Sequence, residues 1–243
     1  MPRKETLTGR AGAPARERNR LLASLSSSDR ALLQPHLSPV ALELRHVLEA
    51  PKRPIQNVYF MDAGIASVVA VQAGDTRVEV GLIGREGMTG TAIVLGAISS
   101  PHESYIQLAG SAQVIAATEL KKAIDQSRSL LAVLLRYVQV FMVQTAHSAI
   151  ANARAKIDER LARWILMAHD RAGDDTIPLT HDFLALMLGV RRAGVTEAVH
   201  ILVSGGLIEA HRGQIVVRDR RGLERHAGHA YGVPEAEYKR LIG

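Results

Sequence analysis

The stretch LGVRRAGVTEAVHIL, residues 188–202, holds the side chains whose types and spacing promise the most specific chemistry in the chain. Val195, Ala198, Val199 and Leu202 recur at helical spacing and make an apolar face. Arg192, Thr196 and His200 follow at four-residue steps on the opposite face. Arg can bridge O6 and N7 of guanine, and Thr can bond a base edge or meet a thymine methyl. Arg191 and Arg192 stand at a helix start, where the dipole disfavours cations unless something anionic faces them. The pattern fits base reading by Arg192, with Thr196 and His200 beside it and Arg191 on a phosphate. Gly194 costs about 1 kcal/mol of helix propensity relative to Ala. Close approach of a phosphate or of another helix would account for it, and so would simple tolerance of the glycine.

Other chemistries find less support. The 243-residue chain has no cysteine, which excludes disulfides, thiolate catalysis, cysteine-bound zinc and iron–sulfur clusters. A metal oxygenase on a β-barrel needs several closely spaced histidines and a carboxylate. Residues 50–118 contain one histidine, His102. His226 and His229 lie three apart but have no further ligands of obvious spacing. No enzyme activity, metal site or cofactor is implied.

The net charge of +6 is concentrated at one end. Residues 1–20 carry six Lys/Arg against two Glu, so they read as a basic, disordered tail rather than a secretory signal. No run of eighteen or more apolar residues occurs, so no membrane span is expected, and a cytoplasmic location follows.

Periodicity divides the remainder. Residues 21–125 begin with short helical patterns. From Val58 to about Ala117 come short Val/Ile/Tyr-rich strand patterns split by Gly or Asp every ten residues or so. Residues 126–172 run helically without Pro or Gly, a length that fits a dimer seam or a helix pair. Leu134, Phe141, Ser148 and Ala155 recur every seven residues, with Tyr137/Val138, Gln144/Thr145 and Ala151/Asn152 at the other seam position. Residues 173–243 form a small final domain. Thr180 can N-cap a helix that opens with His181 and ends at Gly189. A second helix spans 191–203, and two strand patterns then flank a turn at Arg212-Gly213. Helix, tight turn, helix and β-hairpin make a winged helix-turn-helix. The fold class is therefore α+β: a jelly-roll-like β-roll (a double-stranded β-helix), a long dimerisation helix and a C-terminal winged helix-turn-helix.

In that order, these parts resemble the Crp/Fnr family of bacterial transcription regulators. The resemblance rests most on LTHDFLALMLGVRRAGVTEAVHILVSGGLIEAHRGQIVVRD (179–219), which is similar to the family's winged-helix signature. IDERLARWILMAHDR resembles the end of its dimer helix, and VYFMDAGIASVV and IGREGMTG resemble parts of its β-roll. The resemblance implies a homodimer on an inverted-repeat operator in double-stranded DNA, with RNA polymerase as a further partner. DNA contacts are expected at Thr180, His181, Arg191, Arg192, Gly194, Thr196, Glu197, His200 and Arg212.

The departures are informative. Readers of TGTGA-type half-sites use an Arg-Glu pair and a second Arg one turn on; here those places fall on Arg192, Ala193 and Glu197. A different operator is expected. In the sensor half, Glu86 and Gly87 fall where a nucleotide ribose would be held, and Thr145 where an adenine would be contacted. The phosphate-binding Arg is missing, with His102 and Glu103 near its place, and Ala146 follows Thr145 where a Ser is expected. Cyclic AMP is therefore not the expected effector, and another small molecule is left open. Two alternatives stay beside this reading. One is a ligand-sensing or protein-interaction module whose helix-turn-helix does not read DNA; the other is a true cyclic-nucleotide-responsive regulator.

Overall fold

The computed structural model describes residues 18–72 and 76–243. The tail expected over 1–20 lies outside the described residues up to residue 17. Asn19 is fully buried, its Nδ2 donating to the carbonyls of Met61 and Gly87 at 2.8 and 2.9 Å.

Two short helices, α1 (Arg20–Ala23) and α2 (Ser27–Leu33), lead into β1 (Ser38–Leu42) and β2 (Val47–Glu49). β3 (Asn57–Gln72), β4 (Thr76–Ile83), the short α3 (Thr91–Val94) and β5 (Glu103–Ala116) complete the N-terminal half. The strands form one antiparallel sheet in the order β1-β5-β3-β4, and β2 also pairs with β5. The sequence pattern divides β3 at Gly64 into two strands; the structure makes it one bent strand. Gly64 has φ +82°, and its α-carbon lies so close to the Leu108 carbonyl that no side chain would fit. The β3–β5 register slips between Met61 and Ala66, and such bulges bend a strand pair. The bent sheet encloses a core of Leu42, Tyr59, Met61, Ile83, Ile106 and Ala112.

The helical run that follows is three helices: α4 (Ala117–Gln126), α5 (Arg128–Arg154) and α6 (Ile157–Ala172). Ser127 N-caps α5, its Oγ accepting from Leu130 N at 3.2 Å. The second break falls at Lys156, whose extended backbone (ψ 162°) is followed by Glu159 reaching back to accept from Lys156 N at 2.9 Å. Neither break involves Pro or Gly.

By length and composition α5 could cross a membrane. One of its faces is instead part of the protein core. Leu130, Leu134, Tyr137, Val138, Gln144, Ser148 and Ala151 are all buried within the chain. Gln144 exchanges two hydrogen bonds with the backbone of Leu82, at 2.6 and 3.2 Å. Six of the residues expected in a dimer seam, Leu134, Tyr137, Val138, Gln144, Ser148 and Ala151, thus face the chain's own core, whereas Asn152 is exposed and Ala155 follows the end of α5.

The C-terminal part consists of β6 (Thr176–Pro178), α7 (His181–Leu188), α8 (Arg192–Ser204), β7 (Ile208–His211), β8 (Gln214–Val217), α9 (Arg220–Ala227) and α10 (Val233–Leu241). Its three strands pair as β6-β8-β7. α6 joins this part to the β-roll half. Every residue from Leu161 to Ala168 is buried, in a cluster that includes Leu184, Val195 and Leu202 on one side and Ile65 and Leu82 of the β-roll on the other.

At that junction Glu79 of β4 accepts from Ser67 Oγ at 2.6 Å and from Trp164 Nε1 at 2.7 Å. Burial outweighs these donors and pushes its carboxyl up to about 7. A carboxyl group whose folded pKa is raised stabilises the fold at low pH, and that contribution is lost as pH rises from about 4.5 to 7. Glu79→Gln keeps an acceptor and removes the titration. Thermal melts from pH 5 to 8 should therefore show wild type losing several degrees relative to Glu79→Gln, with the fluorescence of Trp164, the chain's one tryptophan, tracking the same transition. Parallel profiles for the two proteins would refute the assignment.

Candidate nucleic-acid interface

Thr180 caps α7, its Oγ1 accepting from Phe183 N at 3.3 Å. Gly189 ends the helix in the left-handed region (φ 61°, ψ 37°), where an L side chain would be strained. Val190 N then bonds Ala185 O at 3.0 Å, and Arg160 of α6 donates to the Leu188 carbonyl. The turn between α7 and α8 is thus fixed from the α6 side. Trp164 and Phe183 meet edge to face with ring centres 6.3 Å apart, which seats α7 against α6.

α8 begins at Arg192, one residue after the expected start. Arg191 is the N-cap residue, with extended backbone, its carbonyl accepting from Gly194 N at 2.9 Å and no side-chain cap bond. Val195, Ala198, Val199 and Leu202 are buried. Arg191, Arg192, Thr196, Glu197 and His200 are exposed. The two faces read from spacing are therefore the two faces the helix presents. Thr196 Oγ1 lies 3.2 Å from the Arg192 carbonyl, to which it donates, and 3.3 Å from His181 Nδ1. His181 and Thr196 thereby join the starts of α7 and α8 into one polar surface. Arg212 is exposed at the tip of the β7–β8 turn. Arg218, just past β8, and Glu209 of β7, unremarked in the sequence, pair at 2.7 Å at the base of the hairpin.

Gly194 is placed differently from its neighbours. It is half-buried, and a β-carbon on it would point to Ile157 Cδ1 at 3.3 Å. The helix-approach account of this glycine thus has a contact behind it, at the start of α6.

The effector candidates are each engaged within the chain. Glu86 Oε1 lies 2.7 Å from Arg171 Nε, an ion pair that ties the β-roll turn to the end of α6. Gly87 packs so tightly on the Tyr137 ring that a β-carbon would overlap it, and its carbonyl holds Asn19. Thr145 spends its hydroxyl within α5, donating to Phe141 O at 3.0 Å. Glu103 is paired with Arg77 at 2.6 Å. His226, one of the two spaced histidines, contacts Asp158 at 2.7 Å across α9 and α6.

Comparison with known proteins agrees with this architecture. Residues 159–226 match the Crp-like helix-turn-helix domain. No curated protein matches the sequence. Among solved structures, a Crp/Fnr-family transcriptional regulator from Eubacterium rectale is similar over 85% of this chain and 97% of its own, with a TM-score of 0.66 at 15% identity. FixK2 from Bradyrhizobium japonicum is similar over 80% and 99%, with a TM-score of 0.67 at 16% identity. The c-di-GMP-responsive regulator CLP of Xanthomonas campestris is similar over 79% and 99%, with a TM-score of 0.63 at 15% identity. The molecule is thus a β-roll joined to a winged helix. Residues 159–226 are similar to a Crp-like helix-turn-helix domain, and the fold around them is that of the solved Crp/Fnr-family structures.

The placement of Gly194 has a direct test. Gly194→Ala gains about 1 kcal/mol of helix propensity and meets only the flexible end of Ile157. Melting should show little net change, and affinity for DNA should be unaltered. A loss of DNA affinity at unchanged stability would put Gly194 against a phosphate instead.

Proposed function

We propose that the chain is a homodimeric, sequence-specific DNA-binding transcription regulator of Crp/Fnr type that does not respond to cyclic AMP. The observation that carries this reading is the exposed edge of α8. Arg192, Thr196 and His200 stand clear of a fully packed opposite face, with Arg191 at the helix start and Arg212 on the hairpin beyond. In such a motif the N-terminal part of the second helix enters the major groove. Arg192 reads a guanine there; Arg191 and Arg212 grip phosphates; Glu197 in place of a second basic reader shifts the operator away from TGTGA-type half-sites. Working on DNA, the protein acts in the cytoplasm, has no catalytic step, and meets RNA polymerase as a partner.

Dimerisation runs through the solvent face of α5. Leu135, Gln139, Met142, Ala146, Ala149 and Ala153 are exposed and alternate at steps of four and three, the spacing of a coiled-coil seam. Leu135, Met142 and the adjacent Ile150 are 41%, 59% and 55% exposed, large values for apolar side chains. The stripe complements a second copy of itself, with large residues in its first half and alanines in its second. Gln139 is its one polar position, and a single polar residue in such a seam favours one register over its neighbours. The stripe lies beside the face that the heptad spacing first picked out.

Two measurements test the reading. Met142→Glu sets like charges against each other across the seam. Light scattering should report monomers, and operator binding should weaken; an unchanged dimer would remove this seam. On an operator obtained by in vitro selection, Arg192→Ala should cost roughly 1–3 kcal/mol and relax preference at one symmetric base pair. Arg191→Ala should weaken all sequences alike and flatten the salt slope by about one unit. Retained affinity and preference in Arg192→Ala would leave α8 a solvated helix, and the interaction-module alternative would then stand.

A further inference from the structure

A cavity of about 770 Å³ lies where the β-roll turn at Arg85-Glu86, the middle of α5, the end of α6 and the C-terminal segment around α10 meet. Its size is in the range of small-molecule sites. The chain has only three Phe, five Tyr and one Trp, yet Tyr137, Phe141, Tyr231 and Tyr238 all line this one space.

The polar lining is lopsided in what it leaves unsatisfied. Every carboxylate there is already engaged. Glu86 pairs with Arg171, and Asp170 accepts from Arg220 and Tyr231 at 2.7 and 2.6 Å. Asp175 contacts His169 at 2.8 Å, while Asp174 and Glu235 accept from the backbone of Thr176 and Gly232. Two guanidinium groups, of Arg20 and Arg85, have no carboxylate partner among the described residues. They spring from adjacent backbone, Arg20 N donating to the Arg85 carbonyl at 2.6 Å. Arg85 Nε and the Tyr238 hydroxyl are buried without a hydrogen-bond partner. The lining as a whole carries five carboxylates beside its four arginines; it is the corner at Arg20, Arg85 and Tyr238 that lacks an acceptor with negative charge.

We propose that this cavity is an effector site for a small aromatic carboxylate, its carboxylate held by Arg85, Arg20 and the Tyr238 hydroxyl and its ring seated among Tyr137, Phe141 and Tyr231. The site is distinct from the nucleotide-type positions Glu86, Gly87 and Thr145, of which only Glu86 reaches the cavity, and there as the partner of Arg171. Its walls come from both halves of the molecule, so an occupant bridges the sensor to the segment that follows the winged helix. That last consequence rests on the DNA-binding reading above; binding itself does not.

The test is calorimetry on the full chain without DNA, using 2-naphthoate, its neutral analogue 2-naphthamide and cyclic AMP. The naphthoate should bind at least tenfold more tightly than the amide. Arg85→Ala should abolish that preference, Arg85→Lys should restore part of it, and Tyr238→Phe should weaken binding several-fold. Lys121→Ala, on the exposed side of α4, should leave it unchanged. If Arg85→Ala does not fold, the acid–amide comparison and Arg85→Lys still decide. No naphthoate binding at millimolar concentration, equal binding of acid and amide, or naphthoate binding indifferent to Arg85 would each overturn the proposal. So would tight, Arg85-dependent binding of cyclic AMP, which would make the cavity a nucleotide site.

Discussion

Eight consecutive residues of α6, Leu161 to Ala168, are buried, and a helix is dry all round only where structure packs on every side of it. Here the β-roll supplies one side and α7, α8 and α9 the other. The placement of the exposed edge of α8 follows from this. Val195 and Leu202 share a core with α6, Arg160 holds the end of α7, and Gly194 lets α8 come close to Ile157. An apolar contact has no preferred direction, so packing alone would leave the two halves free to slide. Direction comes from buried polar pairs at their junction: Glu79 with Trp164 and Ser67, Arg163 with Ser148 at 3.1 Å, and Glu86 with Arg171. Each is costly to bury and more costly to break, because the partner left behind remains out of water.

The winged helix was legible because its signals are local. Thr180 announces one helix start, Gly189 a helix end, and the i, i+3, i+4, i+7 set from Val195 to Leu202 states which face turns inward. The structure keeps all three. The exposed polar residues then followed by elimination. Gly194 was the ambiguous one, since a missing side chain does not say which neighbour required its absence.

The long helical run was less legible, for two reasons. Its break at Lys156 carries no Pro or Gly, and its one local mark is Glu159, three residues on, which reaches back to Lys156 N without a Ser or Thr to complete the usual signature. α5 also has two largely apolar stripes, and periodicity cannot rank them. The one through Leu134 and Ser148 meets the β-roll; the one through Leu135 and Met142 meets solvent. Likewise Gly64 looked like a strand end, because a bend within one strand and a turn between two share the same residue. The cavity was not visible at all: Arg85 and Tyr238 are more than 150 positions apart, and only the return of α10 to α5 makes them neighbours.

That return changes how the winged helix is mounted. The chain enters this unit through α6, and after α9 it comes back, so that α10 packs on α5 and Ile242 reaches the cluster that includes Leu130 and Leu134. A unit hung from a single connection sweeps out a cone. One pinned at entry and exit can only turn about the line between its two pins. Any repositioning of α8 relative to the β-roll is then a rocking about one axis, and a wedge beside either pin sets its angle.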